Sequence, residues 1–394
     1  MKIMRDTRFA IVISAYNAQK YLKEMYDSLL QQTYDNFIVI TVDDCSTDIT
    51  GEIADEYVSE FLKKKITAKV IHKEKNEGLS AARNTGMEYV IKEQNADYIL
   101  FLDADDTVEP DLLESIDEMI SNAGEEMDLI IYGFTEDYYD AEEKLTYSNA
   151  ISRTSTINTK EKDGACDKNQ FDFENNGIAA FAKELAELES QTLLGYAWNK
   201  AYRLDLLREN ELRYEVITHV EDILFNINVL ENAKTYAVVD KCLYHYRNAN
   251  QTRLTAKYLP EYMDLQKRRV YRFIQLQENI LQGEDMSDRA YEVMANVYFR
   301  SLQSMIVRMM DHGDEKKDII KAVQAEYEDT NYVIKGKNLY QLLKNHLSNQ
   351  GKMTRILYQP LADGEVNKAY RNAKIIGFVQ KHFSKLYSKL KQNR

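Results

Sequence analysis

Two clusters of acidic residues carry the strongest chemical signal in this 394-residue chain. One is residues 42–48 (VDDCSTD) and the other is residues 101–106 (FLDADD), and each directly follows an apolar run that predicts a buried strand. Three carboxylates within four residues repel one another unless something neutralises their charge. Mg²⁺ and Mn²⁺ prefer oxygen ligands of this kind. The second cluster therefore indicates a divalent cation that bridges a diphosphate, with a solvated turn or a helix cap as the alternative.

The spacing of other residues disfavours several rival chemistries. No GxGxxG follows the first predicted strand and no GxxxxGK[ST] occurs, which argues against a nicotinamide enzyme and a P-loop NTPase. The six histidines lack HExxH spacing, and Cys45, Cys166 and Cys242 lack CxxC spacing. A structural zinc site and a disulfide framework are therefore both disfavoured.

The elements that must position the carboxylates follow from the apolar pattern. Predicted strands are 9–14, 37–42, 68–72, 98–102 and 129–134, and predicted helices lie near 18–32, 49–63 and 79–93. This alternation predicts an α/β fold with a mostly parallel, Rossmann-like central sheet and helices on both faces. Such sheets bind ligands outside the carboxyl ends of their strands, so both acidic clusters should face one crevice.

Two later regions depart from this alternation. Residues 136–178 are acidic and rich in Thr, Asn and Lys, which predicts a long loop or insertion, partly mobile over the site. After Pro260 the pattern is almost wholly helical. One predicted bundle helix has an apolar face made of Ala290, Val293, Met294, Val297, Met305 and Met309. The chain is therefore expected to end in a mainly helical domain.

Composition narrows the class of protein. The chain is 44% hydrophobic and 29% charged, which is typical of a folded soluble protein. No stretch approaches the ~20 apolar residues of a transmembrane helix, and the first residues lack the features of a signal peptide. We therefore expect a cytoplasmic protein. A formal charge of −13 disfavours nucleic-acid binding.

The stretch 366–394 contrasts with the acidic body, because it holds eight Lys/Arg residues and no Asp/Glu. An apolar stripe at helical spacing is formed by Ile375, Ile376, Val379, Phe383, Leu386 and Leu390. Two interpretations stay open: a basic amphipathic helix in peripheral contact with an anionic membrane, or a terminal helix docked on the acidic body. The apolar faces of the helical domain could also form the interface of a homo-oligomer.

An ordered set of short motifs resembles the family 2 glycosyltransferases, which are inverting enzymes with the GT-A fold. The motifs are 14–17 (SAYN), 42–48 (VDDCSTD), 76–84 (NEGLSAARN), 101–106 (FLDADD), 197–200 (AWNK), 220–222 (VED) and 244–247 (YHYR). The resemblance implies a GT-A domain over residues 1–255, including the 136–178 insertion, and a helical domain over 256–394. It points to the bacterial cell-surface glycan type of this family.

The resemblance also implies a nucleotide-sugar donor, a UDP-hexose or UDP-N-acetylhexosamine. The implied donor-side residues are Ala15, Tyr16, Asn17, Asp44, Asn76, Arg83, Asp103 and Arg247. Asp44 would accept a hydrogen bond from the base. Arg83 would lie near the phosphates, and Arg247 would contact the diphosphate from a loop that closes over the donor.

Metal dependence is implied in the same way. Asp103 and Asp105 form the Asp-X-Asp pair that would hold Mn²⁺ or Mg²⁺, with Asp105 in direct contact. The metal would offset the charge that builds on the diphosphate as the glycosidic bond breaks.

Inversion requires a base on the side of the sugar opposite the diphosphate, to take the proton of the acceptor hydroxyl. The resemblance places this base in the pair Glu221–Asp222. Asp222 is the residue assigned as the base, and the neighbouring Glu221 is the alternative. The pair opens the apolar run 223–230, where a helix dipole would favour acids. A capping pair without catalytic function is the alternative.

The implied acceptor is a sugar hydroxyl on a glycan, a lipid-linked glycan or a glycoprotein. If the stretch 366–394 contacts a membrane, the expected cytoplasmic enzyme would lie at the inner face of the plasma membrane. A non-catalytic partner subunit of another transferase is one rival, and intact Asp103, Asp105 and Asp222 argue against it. A nucleotidyltransferase is the other. It would carry a Gly-rich phosphate loop after the first strand, and SAYNAQK is not one.

The sequence departs from the family pattern in the first acidic cluster. Cys45 stands where that family usually has glycine, and Ser14-Ala15 replaces the commoner residue-proline pair. If the glycine serves a positive φ, Cys45 is strained. We expect the turn to tolerate it, with Cys45 as a small core residue rather than a reactive thiol.

Overall fold

The computed structural model describes residues 7–93, 96–124, 126–140, 142–153, 170–172, 178–249, 258–347 and 354–382. Its contacts divide the chain into two units. The first comprises Met1–Phe181 and Leu188–Gln251, and the second comprises Ala182–Glu187 and Thr252–Arg394. The domain boundary predicted near residue 255 lies outside the described residues.

The first unit is built on one mixed sheet, in which ten strands lie among the described residues. They are β1 (Phe9–Ala15), β2 (Phe37–Asp43), β3 (Thr67–His72), β4 (Tyr98–Asp103), β5 (Thr107–Val108), β6 (Leu129–Tyr139), β7 (Leu145–Ile151), β8 (Gln170–Asp172), β9 (Lys200–Arg203) and β10 (Thr235–Ala249). Their order is β3-β2-β1-β4-β9-β6-β10-β5, with β7 paired to β6 and β8 to β10. β9 is antiparallel to both of its neighbours, β4 and β6.

The parallel part of the sheet follows the apolar pattern of the sequence. β3, β2, β1 and β4 are parallel, and every residue of β1 and β2 is buried. Continuous apolar runs suit such central strands because both faces are covered. β3, at the end of the sheet, is half-exposed instead. The predicted α/β fold is confirmed. Each of the five predicted strands lies within an observed strand, which is longer at one end.

The helices of the first unit are α1 (Leu22–Leu30), α2 (Thr50–Lys63), α3 (Leu79–Glu93), α4 (Leu112–Ala123), α6 (Leu204–Glu209) and α7 (Glu221–Asn232), while α5 (Ile178–Ser190) contributes to both units. α3 lies close to β1 because residue 86 is glycine. A Cβ on Gly86 would collide with Val12 and press against Val42. This close approach fixes the helix that carries Arg83.

The structure differs from the predicted loop over 136–178. β6 extends to Tyr139, and β7 returns antiparallel to it, with Tyr138 opposite Tyr147. β7 is mostly exposed, so it needs no alternation of apolar and polar residues, and the sequence gives no clear strand signal there. β8 also falls in this range, and residues 154–169 and 173–177 lie outside the described residues.

The second unit is mainly helical. Its elements are α8 (Tyr262–Leu281), α9 (Asp288–His312), α10 (Lys316–Glu328), the short pair β11 (Val333–Ile334) and β12 (Lys337–Asn338), α11 (Leu339–Leu343), a π-helix (Thr354–Tyr358), α12 (Gln359–Ala362) and α13 (Val366–His382). The predicted apolar face of α9 is core packing at 290–297, whereas Met305 and Met309 are half-buried. Among the described residues, no helix is long and apolar enough to cross a membrane.

Candidate active site

The two acidic clusters meet at one edge of the sheet. Ala15, at the end of β1, pairs with Asp43 at the end of β2, and its neighbour Ser14 pairs with Asp103 at the end of β4. The carboxyl ends of three adjacent parallel strands therefore carry both clusters, as the sequence predicted for a shared crevice.

Arg83 lies between Asp103 and Asp222. Its guanidinium is buried, donates to Asp103 at 2.9 Å and forms a second ion pair with Asp222. These three side chains come from α3, the end of β4 and the first turn of α7. The sequence placed Arg83 near the donor phosphates, whereas here it joins the Asp-X-Asp motif to the predicted base.

The charge on Asp103 is only partly compensated. Burial raises its pKa to about 6, Arg83 opposes that shift, and the charge of Asp105 adds to it. Burial works against the charge of Arg83 too, but Asp222 and Asp103 raise its pKa well above the usual value. The arginine therefore stays charged, and the carboxylates around it exceed it in number.

The predicted base pair opens α7 as expected. The Asp222 carboxylate accepts a hydrogen bond from the Ala197 N–H at 3.0 Å in addition to its pairing with Arg83. Burial and the charge of Asp222 raise the pKa of Glu221 to about 7. The preceding residue, Val220, has φ of 62°, a left-handed conformation that a β-branched residue rarely adopts. Such strain often marks functional sites.

The third aspartate of the second cluster ties that cluster to β10. Asp106 is buried and accepts hydrogen bonds from the Tyr244 hydroxyl at 2.6 Å and from the Arg247 N–H at 2.7 Å. Burial and the charges of Asp105 and Asp103 raise its pKa well above the usual value. Asp105, by contrast, is exposed. The motifs predicted no separate role for Asp106, although its place beside the Asp-X-Asp pair could have suggested one.

Arg247 is held at the rim of the second cluster. Its guanidinium lies over the rings of Tyr21 and Tyr139, 4.8 and 4.3 Å from their centroids, and pairs with Glu24. Its Nε also donates to the Asp105 carbonyl at 3.2 Å. The predicted diphosphate contact is therefore beside the acidic cluster, with Glu24 as its present partner.

Asp44 organises the loop that follows β3. Its carboxylate accepts from the N–H groups of Glu77 at 3.1 Å and Gly78 at 2.7 Å, and Lys73 Nζ lies 2.8 Å away. Asn76, which lies between Lys73 and Glu77 in the sequence, is exposed. The structure thus brings Asp44 and Asn76 into one loop.

The turns after β1 and β2 are interlocked. Asn17 accepts from the Thr47 N–H at 2.8 Å, and its own N–H donates to the Ser46 hydroxyl at 3.0 Å. Tyr16 is half-exposed. Cys45 has φ of 61°, so this position does require the left-handed conformation that glycine adopts more easily. Cys45 is half-buried rather than a core residue.

The block AWNK has a positioning role that the sequence did not reveal. Lys200 is fully buried and donates to the carbonyls of Leu193 and Tyr196, at 2.7 and 2.5 Å. Burial lowers its pKa to about 7. The segment held in this way ends at Ala197, whose N–H reaches Asp222. Trp198 stacks on Tyr244 with ring centroids 4.4 Å apart, which links this block to the tyrosine that holds Asp106.

A separate cleft of about 450 Å³ lies at the opposite end of β4, next to Tyr98 and Arg203. Its arginines are already paired: Arg203 with Asp128 and Arg208 with Asp205, both at 2.8 Å. The predicted site residues are at the other edge of the sheet, so this cleft is not the candidate site.

The family model described as glycosyl transferase family 2 matches residues 10–187. This part of the chain is a family 2 glycosyltransferase domain. The resemblance read from the sequence motifs is confirmed, while the roles of individual site residues stay predictions.

Curated relatives of this glycosyltransferase domain come from bacteria. The putative glycosyltransferase EpsH of Bacillus subtilis is 31% identical over 247 residues, which is 62% of this chain and 62% of EpsH. The poly(ribitol-phosphate) β-N-acetylglucosaminyltransferase TarS of Staphylococcus aureus is 25% identical over 61% of this chain and 35% of TarS. The match thus spans less than two thirds of each relative's length.

A solved structure has a similar fold. The crystal structure of S. aureus TarS 1–349 in complex with UDP-GlcNAc has a TM-score of 0.57 and 18% identity, and it covers 93% of this chain and 90% of that one. The glycosyltransferase domain therefore has a GT-A type fold.

Proposed function

We propose that this protein is an inverting glycosyltransferase that moves a sugar from a UDP-sugar to a hydroxyl of a glycan, glycolipid or glycoprotein acceptor. The observation that carries the proposal is the network in which Arg83 joins Asp103 to Asp222. It supports the proposal because Asp222, the residue proposed as the base, contacts Arg83, which lies in the part of the chain that matches the family 2 model, residues 10–187.

The donor is a UDP-hexose or UDP-N-acetylhexosamine in this proposal. Its support is the fold shared with a TarS structure that holds UDP-GlcNAc. Ala15, Tyr16 and Asn17 would border the base and ribose at the end of β1, with Asn76 nearby. The hydrogen bond from the base to Asp44 stays a prediction, and the base would share a carboxylate that already accepts from Glu77 and Gly78.

Mn²⁺ or Mg²⁺ is part of the proposal through Asp103 and Asp105. Among the described residues, no group of three or more His, Cys, Asp or Glu side chains is arranged to hold a metal ion. Mg²⁺ is commonly bound by one or two carboxylates together with substrate phosphates, and this pair fits that partial set. When bound, the metal would neutralise charge on the leaving diphosphate. Arg247 would contact the same diphosphate in exchange for Glu24.

Asp222 is the proposed base. Its carboxylate takes the proton of the acceptor hydroxyl as that oxygen attacks the anomeric carbon, while the bond from that carbon to the diphosphate breaks and UDP leaves. Arg83 and the Ala197 N–H fix the orientation of the carboxylate. Glu221 is the alternative base, because a pKa of about 7 suits proton transfer near neutral pH.

The acceptor is proposed from the relatives rather than from the site. TarS carries poly(ribitol-phosphate) in its name. A hydroxyl of a bacterial cell-surface polymer is therefore the acceptor class to test first.

The deciding experiment measures UDP release and donor binding across a panel of UDP-sugars, with Mn²⁺ and with EDTA. We expect Mn²⁺-dependent release from one donor. Asp222→Asn should lower transfer by about 10²-fold or more, the scale of a lost general base, while donor binding survives. Asp205→Asn, at a carboxylate paired with Arg208 on α6, is the control and should leave both unchanged. Equal loss of binding and transfer in Asp222→Asn would make Asp222 structural.

A further inference from the structure

Helix α13 in the second unit has one side that is docked and one that is not. Val366, Ala369 and Ala373, at helical spacing, are buried, and the helix packs against α9, α10 and the π-helix. The docked interpretation of this segment is therefore correct for the first part of the helix. Docking accounts for the burial of these three residues and does not extend to the exposed side chains of Ile375 and Phe378.

Two large apolar residues of α13 face solvent instead. Ile375 is 61% exposed and Phe378 is 58% exposed. Ile356 is 45% exposed and lies alongside, because Asn372 Nδ2 donates to its carbonyl at 2.6 Å. Exposed apolar groups that cluster in this way usually mark a binding surface.

The charged residues of α13 itself are all basic. Arg371 and Lys374 are exposed on the same helix. From residue 366 to 394 the sequence holds eight Lys/Arg residues and no acid, so the rest of the chain carries −21 (−13 − 8). Residues 383–394 lie outside the described residues, and their sequence continues the mixture of lysines with Phe383, Leu386 and Leu390.

A partner for this surface must offer both negative charge and an apolar interior. An acidic protein surface would satisfy the lysines and leave Ile375 and Phe378 in water. An anionic lipid bilayer satisfies both, because the apolar side chains enter the acyl region while the basic residues face the headgroups. The negative charge elsewhere on the chain would be repelled by such a surface, so contact is confined to this segment.

We propose that the face of α13 formed by Ile375, Phe378, Arg371 and Lys374 binds the surface of an anionic lipid bilayer. This binding is peripheral and reversible, since one amphipathic segment gives modest affinity. It does not depend on the sugar or on the acceptor of the proposed reaction.

The test is sedimentation of the full chain with vesicles of phosphatidylcholine alone and with vesicles that contain phosphatidylglycerol in equal part. Binding is expected to the anionic vesicles and should weaken as salt rises, because salt screens the lysines. Ile375→Ser with Phe378→Ser should lower the affinity at least about tenfold, since burial of each large apolar side chain contributes about that factor. Arg371→Glu with Lys374→Glu should weaken it as well.

Leu62→Ser is the matched control, because Leu62 near the end of α2 is 70% exposed and is followed by Lys63 and Lys64. It should bind vesicles like the unaltered chain, and circular dichroism should show that every variant is folded. No sedimentation of the unaltered chain with anionic vesicles overturns the proposal. So does an equal loss in Leu62→Ser. A self-associated chain that becomes monomeric in the Ile375/Phe378 variant, without vesicle binding, assigns the face to a second copy instead.

Discussion

The two acidic clusters resemble each other in sequence, but the fold treats their charges differently. In the first, Lys73 and two N–H groups satisfy Asp44. Burial opposes ionisation of Asp43, yet hydrogen bonds from Ser46 and His72 lower its pKa. In the second, burial raises the pKa of both Asp103 and Asp106.

An acidic turn after a strand can therefore have either of two roles. Where the fold supplies enough donors, the turn is a scaffold that holds loops together. Where carboxylates outnumber cations, the turn retains negative charge that a cation can neutralise. The first cluster is of the former kind and the second is of the latter, with Arg83 as the cation shared between Asp103 and Asp222.

Removal of Arg83 should cause the largest loss of unfolding free energy among the changes that distinguish the two clusters. Arg83→Met leaves two carboxylates without their common partner, and breaking a buried ion pair in this way costs about 3–5 kcal/mol of unfolding free energy. Denaturant unfolding measures the loss. Adding Asp103→Asn to the same chain should restore part of it. Arg203→Met, at a more exposed pair with Asp128, is the control, and an equal cost there would contradict the special place of Arg83.

Neutralising one aspartate in each cluster should have different effects on stability in the two clusters. Asp44→Asn should cost about 2 kcal/mol, because it removes a charged acceptor from Lys73 and the loop N–H groups. Asp106→Asn should cost less than about 1 kcal/mol, because the raised pKa of Asp106 already favours the neutral form. The amide oxygen can accept from the Arg247 N–H while the amide NH2 donates to the Tyr244 hydroxyl. Denaturant unfolding of both variants under one condition measures the two losses of unfolding free energy. If Asp106→Asn costs more than Asp44→Asn, the contrast between the clusters is wrong.

The pH dependence of stability offers a finer test. The pKa of Asp103 is raised from 3.8 to about 6, so between these values the folded chain keeps a proton that the unfolded chain has lost. The contribution of this group to the unfolding free energy therefore falls as pH rises through that window. Asp103→Asn should remove this fall. Identical slopes in the two chains, measured by denaturant unfolding across the window, would argue against the raised pKa.

The smallest expected effect concerns the backbone of the first cluster. Cys45→Gly should raise the unfolding free energy by up to about 1 kcal/mol, because glycine adopts a positive φ without the cost that a side chain brings. Cys242→Gly in β10 is the matched control and should destabilise the protein, since Cys242 has no positive φ. A loss of stability in both variants would mean that the Cys45 side chain contributes more than its conformation costs.

Local pattern predicted much of the fold. The strand from Phe9 to Ala15 and the helix from Leu79 to Glu93 were visible because a buried strand is continuously apolar and a helix has its own period. The edge where the acidic clusters meet followed from the rule for parallel sheets. β7 was missed because an exposed strand needs no apolar pattern.

The site was only partly predictable, because its contacts join residues distant in sequence. Arg83 and Asp222 are 139 positions apart, and nothing in either motif shows that they pair. Asp106 and Tyr244 are 138 apart. The left-handed backbone of Val220 is set by its surroundings, since valine disfavours it. Motifs named most candidate residues, but their partners emerged only from the fold.

The four-residue strand β9 has a consequence for how the molecule is made. It lies between β4 and β6, so it joins the parallel half β3-β2-β1-β4 to the half that contains β10. Tyr98 pairs with Arg203, about a hundred residues later in the chain. During synthesis β4 and β6 cannot be joined through β9 until Arg203 has left the ribosome. Because closure of such a long loop is slow, the docking of the two halves through β9 is expected to limit the folding rate.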